Sequence, residues 1–154
     1  MAVEIERKYL VRNDSWRENA DDGTAYEQGY LPTDGLCSVR IRIEGKQARL
    51  NIKSATLGIV RKEYEYPIPL DEAHELLDNF CADTVRKTRY HIPFAGKTWE
   101  LDVFAGANAG LVVAEIELDS EDEQPELPGW AGEEVSEDPR YYNTELCRNP
   151  YTRW

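Results

Sequence analysis

Val3-Glu4-Ile5-Glu6-Arg7-Lys8-Tyr9, close to the start of the chain, is the stretch that decides the fold. Charged and apolar residues alternate in it. Because successive side chains of a β-strand point to opposite faces, Glu4, Glu6 and Lys8 share one face, roughly 7 Å apart along the strand. On a single strand, a charged face indicates exposure to solvent. The rest of the chain argues against that interpretation, because the same pattern recurs in strand after strand.

Charged or polar residues occupy alternate positions in most of the later predicted strands. These positions are Arg40 and Arg42; Arg49, Asn51 and Lys53; Arg61, Glu63 and Glu65; Lys87 and Arg89; Glu100 and Asp102; Glu115 and Glu117. An antiparallel sheet commonly buries one face and leaves the other in water. A closed barrel whose apolar faces point out to covering helices would instead hold all of these charges inside. Basic groups and paired carboxylates in one lumen suit a polyanion bound together with divalent metal ions.

The predicted strands lie at about residues 2–11, 24–31, 38–44, 48–53, 59–68, 85–94, 97–104 and 111–118. Their short connections indicate antiparallel pairing, and eight strands can close into a barrel with a narrow interior. A helix is predicted after Pro69 and a short terminal helix over about residues 140–147, whereas residues 120–136 are predicted to form a loop. The fold class is therefore mainly β (α+β): an eight-stranded antiparallel closed barrel with a few flanking helices, in a single domain of residues 1–154.

The net charge of −12 would ordinarily argue against a protein that binds phosphate or nucleic acid, since phosphate affinity depends on Lys and Arg. The objection is weak if the positive charge is concentrated in a cavity and the acidic excess lies elsewhere. Much of that excess lies in residues 119–123 and 133–138, which we interpret as solvated surface. A small-molecule partner is expected, and no nucleic acid.

The cysteines and the hydropathy of the chain predict the compartment. Cys37, Cys81 and Cys147 show no metal-binding spacing and are odd in number, so we expect them to be reduced. No apolar run approaches the length of a membrane span, and no signal peptide precedes the first strand. We therefore expect no membrane partner and a cytoplasmic protein.

The lumen of such a barrel would contain three pairs of carboxylates, namely Glu4 with Glu6, Glu63 with Glu65, and Glu115 with Glu117. A buried carboxylate without a partner is very costly, so this lumen must also contain cations, supplied by Lys, Arg or metal. Oxygen ligands without a His or Cys cluster favour Mg²⁺ or Mn²⁺ over Zn²⁺. The alternatives are a self-neutralising network of ion pairs and strand faces that are simply wet.

The order of these motifs resembles the CYTH superfamily, the triphosphate tunnel metalloenzymes. The similarity begins with Glu4-x-Glu6-x-Lys8 and covers nearly the whole chain. It continues through Gln28-Gly29-Tyr30-Leu31, Arg40-x-Arg42, Lys53, Arg61-x-Glu63-x-Glu65, Lys87-Thr88-Arg89-Tyr90, Glu100-Leu101-Asp102-Val103-Phe104 and Ala114-Glu115-Ile116-Glu117, and ends near Glu133-Glu134-Val135-Ser136. The chain is most similar to the short, single-domain bacterial members.

The resemblance implies an enzyme, a metal-dependent triphosphatase that hydrolyses inorganic triphosphate (tripolyphosphate) to pyrophosphate and phosphate inside an eight-stranded tunnel. Its cofactor would be Mg²⁺ or Mn²⁺. The metal ligands would be Glu4, Glu6, Glu115 and Glu117, with Glu63, Glu65 and Asp102 as further candidates. The phosphate-binding residues would be Lys8, Arg40, Arg42, Lys53, Arg61, Lys87 and Arg89.

The resemblance also implies a catalytic region and a plug. Lys8 and Tyr30 would pair in the catalytic region, together with the metal-binding Glu4 and Glu6, as in the bacterial tripolyphosphatases. The terminal helix would close one end of the tunnel. Family members often carry a Lys near the Arg-Tyr pair of this segment, whereas this chain has Arg140-Tyr141-Tyr142-Asn143. Whether the plug contacts substrate is therefore open.

Other functions remain open on the sequence alone. Relatives act on nucleoside or thiamine triphosphate, or convert ATP to cAMP; the lack of an evident base-binding pocket favours the inorganic substrate. A non-catalytic module that binds polyphosphate or nucleotide is disfavoured by the carboxylates, because anion binding alone would be better without them. A structural β-barrel would show no response to metal. The apolar outer face of the barrel leaves room for a homodimer.

Overall fold

A computed structural model of the chain describes residues 2–154. The strands are β1 (Val3–Val11), β2 (Thr24–Leu31), β3 (Cys37–Glu44), β4 (Gln47–Ser54), β5 (Val60–Ile68), β6 (Thr84–Phe94), β7 (Lys97–Phe104), β8 (Val112–Glu117) and β9 (Ala131–Glu134). The α-helices are α1 (Leu70–Phe80) and α2 (Asn143–Arg148), and 3₁₀ helices lie at Ser15–Glu18, Gly106–Asn108, Pro139–Tyr141 and Tyr151–Arg153. None of the helices in the described residues is long and apolar enough to cross a membrane.

Eight antiparallel strands close into one barrel, in the order β5-β4-β3-β2-β6-β7-β8-β1, with β1 pairing back onto β5. The closing strand β1 has different neighbours at its two ends. Its first residues pair with β5, where Glu4 lies opposite Arg61, and its last residues pair with β9. Along much of its length it also pairs with β8. The prediction of an eight-stranded antiparallel closed barrel is confirmed, and β9 is an additional strand.

Apolar side chains pack outside the barrel, in three clusters. Trp16 and Trp99 belong to the largest cluster, which covers β1, β7 and β8. Leu77 of α1 packs on Ile41 of β3, and Leu146 of α2 belongs to a third cluster beside β6 and β8. Most strands turn an apolar face outward to these clusters, and their alternate face is left for the interior; on β5 the outward Tyr64 and Tyr66 are exposed instead. The charged faces predicted from the sequence therefore meet in the lumen.

Strand β9 corrects the expectation of a loop over residues 120–136. Its four residues, Ala131-Gly132-Glu133-Glu134, carry no alternating apolar pattern. It forms because the far end of β1 has a free edge, where Tyr9 pairs with Glu134 and Val11 with Ala131. Gly132 allows the close approach, since a Cβ atom there would lie 3.1 Å from the Leu10 carbonyl oxygen. The partner strand, not the local sequence, determines this element.

The predicted terminal helix over residues 140–147 is divided in two. The first part is the 3₁₀ helix Pro139–Tyr141, where the Asp138 carboxylate accepts a hydrogen bond from the Arg140 backbone N–H at 3.1 Å. Tyr142 then has an extended backbone, with φ −72° and ψ 137°, and α2 begins at Asn143. This break carries the segment across one end of the barrel, where Tyr142 and Asn143 line the interior cavity.

Candidate active site

The interior of the barrel contains a cavity of about 220 Å³ lined by charged side chains. Most of the residues predicted to form the site line this cavity. They are Glu4, Glu6, Lys8, Tyr30, Arg40, Arg42, Lys53, Arg61, Glu63, Glu65, Lys87, Arg89 and Glu115. The strand register explains why they meet, since directly opposed residues of paired strands share a face. Lys8 lies opposite Glu115, and Glu115 lies opposite Glu100.

Three carboxylates on neighbouring strands form the acidic group of the cavity. Oxygens of Glu6, Glu100 and Glu115 all lie within 4.8 Å of one another. Burial, followed by the charges of Glu115 and Glu4, raises the pKa of Glu6 well above its ordinary value. Burial also acts to raise the pKa of Glu115, but the charges of Lys8, Arg89 and Lys87 hold it well below its ordinary value. Glu6 is therefore the carboxylate that most lacks a compensating positive charge.

The acidic group fits a divalent metal ion. All of its ligand atoms are carboxylate oxygens, which suit Mg²⁺ or Mn²⁺. Glu6 forms no ion pair with any Lys or Arg of residues 2–154, and Glu115 is 3.5 Å from the Lys8 ammonium. A divalent cation would remove the electrostatic cost that the shifted pKa of Glu6 records.

Glu4 and Glu63 form a second acidic pair on the adjoining wall, with Lys53 between them. The Lys53 Nζ atom donates to Glu4 Oε1 at 2.9 Å and lies 3.6 Å from Glu63 Oε2. Burial raises the pKa of Glu4, against the opposing effect of Lys53. Lys53 neutralises part of the negative charge of this pair.

Asp102 lies outside the acidic group, although the resemblance proposed it as a metal ligand. It is fully buried, and its two oxygens accept bonds from Arg89 Nε at 2.7 Å, Arg89 Nη2 at 2.8 Å and Lys87 Nζ at 2.8 Å. Burial opposes ionisation, but these two cations keep the pKa of Asp102 below its ordinary value. In this arrangement Asp102 fixes two cavity-lining cations; its role as a ligand stays a prediction.

Glu117 is not part of the acidic group either. It is exposed and does not line the cavity, although it lies opposite Glu6 in the β1–β8 register. Glu65 lines the cavity but faces arginines, with Arg40 Nη2 3.4 Å and Arg49 Nη1 3.5 Å from its carboxylate. Metal binding by Glu117 and Glu65 stays a prediction as well.

Arginines form the basic wall of the cavity. Arg42 and Arg89 lie over the Tyr26 ring, with their guanidinium carbons 4.9 and 5.1 Å from its centroid, an arrangement in which the ring attracts both cations. The Arg40 Nε atom is buried and has no hydrogen-bond partner in residues 2–154. An unpaired buried donor is costly, so the empty side of Arg40 is suited to an anion such as a phosphate group.

The cap, residues Tyr141–Asn143, closes one end of the tunnel. Lys8 Nζ donates to the Tyr141 carbonyl at 3.0 Å, and Lys87 Nζ donates to Asn143 Oδ1 at 3.0 Å. The Tyr142 ring lies over Arg61, at 4.6 Å from the guanidinium carbon, and its hydroxyl donates to the Ser136 carbonyl at 2.8 Å. The cap therefore contacts several cations that were predicted to bind phosphate.

Lys8 and Tyr30 both line the cavity, but no hydrogen bond joins them in the described chain. The Tyr30 hydroxyl accepts a bond from Gln28 Nε2 at 3.1 Å, and burial raises the pKa of Tyr30. Lys8 contacts the Tyr141 carbonyl and Glu115 instead. Their pairing in catalysis stays a prediction.

Sequence reasoning left Glu100, Asn51 and Asn143 without a role, although all three line the cavity. Glu100 belongs to the acidic group, and its signal was its two-residue spacing from Asp102. The Asn51 amide donates to Glu63 at 2.9 Å and to Glu65 at 3.2 Å, and its signal was its position between Arg49 and Lys53. Asn143 had no periodic signal, because it lies in the cap and not in a strand.

Comparisons with known proteins agree with this geometry. The chain matches the CYTH domain over residues 2–144. It is 46% identical over 152 residues to an inorganic triphosphatase of Acetivibrio thermocellus, a match that covers 98% of this chain and 97% of that protein. It is 38% identical over 150 residues to an inorganic triphosphatase of Nitrosomonas europaea, covering 94% of this chain and 97% of that protein.

Solved structures show the same architecture. The crystal structure of an inorganic triphosphatase, 36% identical, matches with a TM-score of 0.67 and covers 96% of this chain and 95% of that chain. A putative adenylyl cyclase from Hippeastrum, 17% identical, matches with a TM-score of 0.61 over 76% of this chain and 80% of that chain, and this likeness concerns the fold alone. On the domain match and the two bacterial relatives together, the chain belongs to the CYTH domain family.

Proposed function

We propose that this chain is an inorganic triphosphatase, which uses Mg²⁺ or Mn²⁺ to hydrolyse tripolyphosphate to pyrophosphate and phosphate. One observation carries the proposal: the acidic group Glu6, Glu100 and Glu115 lines the same cavity as a set of basic side chains, among them Arg40, Lys53 and Arg61. Relatives over nearly the full length of the chain bear the name inorganic triphosphatase. The reaction takes place in a single domain of residues 1–154.

The cationic side chains bind and extend the polyanion. Arg40, Arg42, Lys53, Arg61 and Arg89 surround the cavity on several strands, so a linear chain of phosphates meets a cation at each step. Arg forks bind phosphate oxygens bidentately, and Arg40, whose buried Nε has no hydrogen-bond partner in residues 2–154, is held in place to do so. Such preorganisation supplies charge stabilisation without reorganisation during the reaction.

The acidic group would hold the divalent cation through Glu6, Glu100 and Glu115, with Glu4 and Glu63 beside it. When bound, that cation would offset charge on the phosphate oxygens and lower the pKa of a bound water. Lys8 is placed at the edge of this group, 3.5 Å from Glu115, where its ammonium can neutralise a leaving phosphate oxygen.

Tyr30 acts as a neutral hydrogen-bond donor. Burial raises the pKa of its hydroxyl, so the proton stays on the oxygen at neutral pH. Gln28 donates to that oxygen at 3.1 Å, which leaves the hydroxyl hydrogen free to point into the cavity. Together with Lys8, this donor would stabilise the departing pyrophosphate.

A cytoplasmic location fits a soluble small-molecule substrate. Cys37, Cys81 and Cys147 are free thiols in the described chain, which is compatible with a compartment where thiols are kept reduced.

Phosphate release from tripolyphosphate tests the proposal. ATP, thiamine triphosphate and pyrophosphate are assayed in parallel, each with Mg²⁺, Mn²⁺ or EDTA. We expect strong metal-dependent release from tripolyphosphate, weaker release from the organic triphosphates and none from pyrophosphate. Folded protein that releases phosphate from none of them would refute the proposal, and an assay for cAMP together with calorimetric binding would then separate a cyclase from a binding module.

A further inference from the structure

Asn143 is a polar side chain of the cap to which neither the alternating pattern nor the family resemblance assigned a role. It is the first residue of α2 and lines the interior cavity. Its Oδ1 atom accepts a hydrogen bond from the Lys87 ammonium at 3.0 Å. Among residues 2–154, its Nδ2 group makes no hydrogen bond.

The chemistry of Lys87 fixes which end of the Asn143 amide faces which way. An ammonium group can only donate, so the carbonyl oxygen of the amide must face Lys87 and the NH₂ group must occupy the other branch. Lys87 itself is 4% exposed and is held by Asp102 at 2.8 Å. A rotation of the amide by half a turn would set two donors against each other, so the NH₂ group is the branch of the amide that is turned away from Lys87.

The backbone of the cap is held in place on both sides of Asn143. The Tyr142 hydroxyl donates to the Ser136 carbonyl at 2.8 Å, and Leu146 is packed in an apolar cluster with Val85 and Phe104. Asn143 is therefore positioned by its neighbours before any substrate arrives. A preorganised donor loses little entropy when a ligand binds.

We propose that Asn143 is a substrate-binding residue whose Nδ2 group donates a hydrogen bond to a phosphate oxygen at the capped end of the tunnel, between Lys8 and Lys87. This inference rests on the proposed function, because it takes a polyphosphate as the ligand. Glu115 and Asp102 already neutralise Lys8 and Lys87, so the amide adds an uncharged donor that no carboxylate occupies. Asn143 also couples the cap to the ligand, since the same amide touches Lys87.

Two substitutions separate this role from mere support of Lys87. Asn143→Ala removes both ends of the amide, and we expect the KM for tripolyphosphate to rise roughly tenfold to a hundredfold, the effect of losing a hydrogen bond to a charged group. The kcat should change little, as expected for binding shared by substrate and transition state. Asn143→Asp keeps the acceptor for Lys87 but replaces the NH₂ donor by an oxygen, so its KM should rise beyond that of the Ala variant.

A lower KM for Asn143→Asp than for Asn143→Ala would overturn the proposal. If Asn143 only supports Lys87, Asn143→Asp preserves that contact and should match or exceed the wild-type activity, while Asn143→Ala is impaired. Unchanged KM in both variants would refute any role in binding.

Matched controls account for the added charge. Thr144→Asp places the same charge on the neighbouring residue, which also lines the cavity, and measures repulsion without loss of the amide. Asn149→Asp repeats the substitution on an exposed residue after α2 and should behave like the wild type. The KM of Asn143→Asp must exceed the KM of Thr144→Asp by roughly tenfold, the effect of about one hydrogen bond to a charged group. A smaller difference would mean that charge repulsion alone raises KM, and the proposal would fail.

Calorimetric titration of tripolyphosphate, with and without Mg²⁺, separates this inference from the proposed function. Wild-type protein that binds tripolyphosphate but does not hydrolyse it would refute the function, and the order of affinities among the variants would still decide the role of Asn143. Wild-type protein that does not bind tripolyphosphate would overturn both. Circular dichroism melting confirms that each variant is folded.

Discussion

Two sets of acidic side chains in the same barrel differ in how their charge is compensated. Asp102 is fully buried, yet its oxygens receive bonds from the Lys87 ammonium and from the Nε and Nη2 groups of Arg89. Glu6 lies in a group of three carboxylates and makes no ion pair with any described Lys or Arg. The pKa of Asp102 is accordingly lowered and that of Glu6 is raised. A carboxylate whose charge is balanced by buried cations stabilises the fold, whereas a carboxylate without such a cation is suited to bind a metal ion.

The largest expected effect concerns catalysis. Glu6→Gln should reduce tripolyphosphate turnover more than about a thousandfold, because it removes a proposed ligand of the metal ion, whose charge stabilisation amounts to several kcal/mol. Steady-state phosphate release across a range of Mg²⁺ concentrations measures the change. Glu121→Gln, on the exposed acidic loop, is the control. Near wild-type rates in Glu6→Gln would place the metal site elsewhere.

The next largest effect concerns stability and should appear at Asp102 but not at Glu6. Asp102→Asn should lower the free energy of unfolding by about 3–5 kcal/mol, because it leaves Lys87 and Arg89 buried without a full counter-charge. In metal-free buffer, Glu6→Gln should leave stability unchanged or raise it, since an uncompensated charge is removed. Urea denaturation compares the two variants. Equal losses in both would contradict the distinction between framework and metal-binding carboxylates.

The two sites should also respond to pH in opposite directions. The pKa of Glu6 is raised, so its contribution to stability is complete below its ordinary value of 4.5 and is lost as pH rises through the pKa of the folded protein. The pKa of Asp102 is lowered, so its contribution is present above its ordinary value of 3.8 and is lost as pH falls through the folded pKa.

Thermal melting of the metal-free protein at a series of pH values tests whether Glu6 and Asp102 affect stability in opposite directions. Glu6→Gln should remove the loss of stability on the alkaline side, and Mg²⁺ should restore stability near neutral pH by binding the ionised carboxylates. A wild-type curve that does not change with Mg²⁺ would speak against metal binding at this group.

The smallest effect concerns Lys87, the cation that Asp102 shares with the cap. Burial lowers the pKa of Lys87 to about 8, although Asp102 opposes the shift. If the protonated Lys87 binds phosphate, as the family resemblance implies, kcat/KM should fall as pH rises above about 8, by up to roughly tenfold. Lys87→Arg should move this decline to higher pH, since Arg stays charged. A profile that is identical in wild type and Lys87→Arg would assign the decline to another group.

The alternation of residues predicted most of the fold and most of the cavity lining. Glu4, Glu6 and Lys8 have a fixed face once β1 is a strand, because the period of two leaves no choice. Strand β9 was not predictable in this way, since residues 131–134 pair only because β1 offers a free edge there. The cap was likewise not evident, because an extended residue at Tyr142 divides what the sequence presents as one helix.

The alternation of residues could not predict how far along the barrel axis each side chain lies. Glu100 and Asp102 occupy the same face of β7, and Glu115 and Glu117 the same face of β8. Nevertheless Glu100 and Glu115 join the acidic group, while Asp102 is enclosed by cations and Glu117 is exposed. A period of two determines the face of a residue but not its depth, which depends on strand stagger and on the neighbours across the lumen.

The sequence by itself determined that this chain forms a charged tunnel with the motifs of its family, because local periodicity and residue type are both written in the chain. Only the tertiary structure decided which carboxylates are neutralised and which remain free. That division depends on distances of a few ångströms between side chains from different strands, such as the 2.8 Å contact of Lys87 with Asp102. Electrostatic compensation is a property of the assembled cavity, and no single strand contains it.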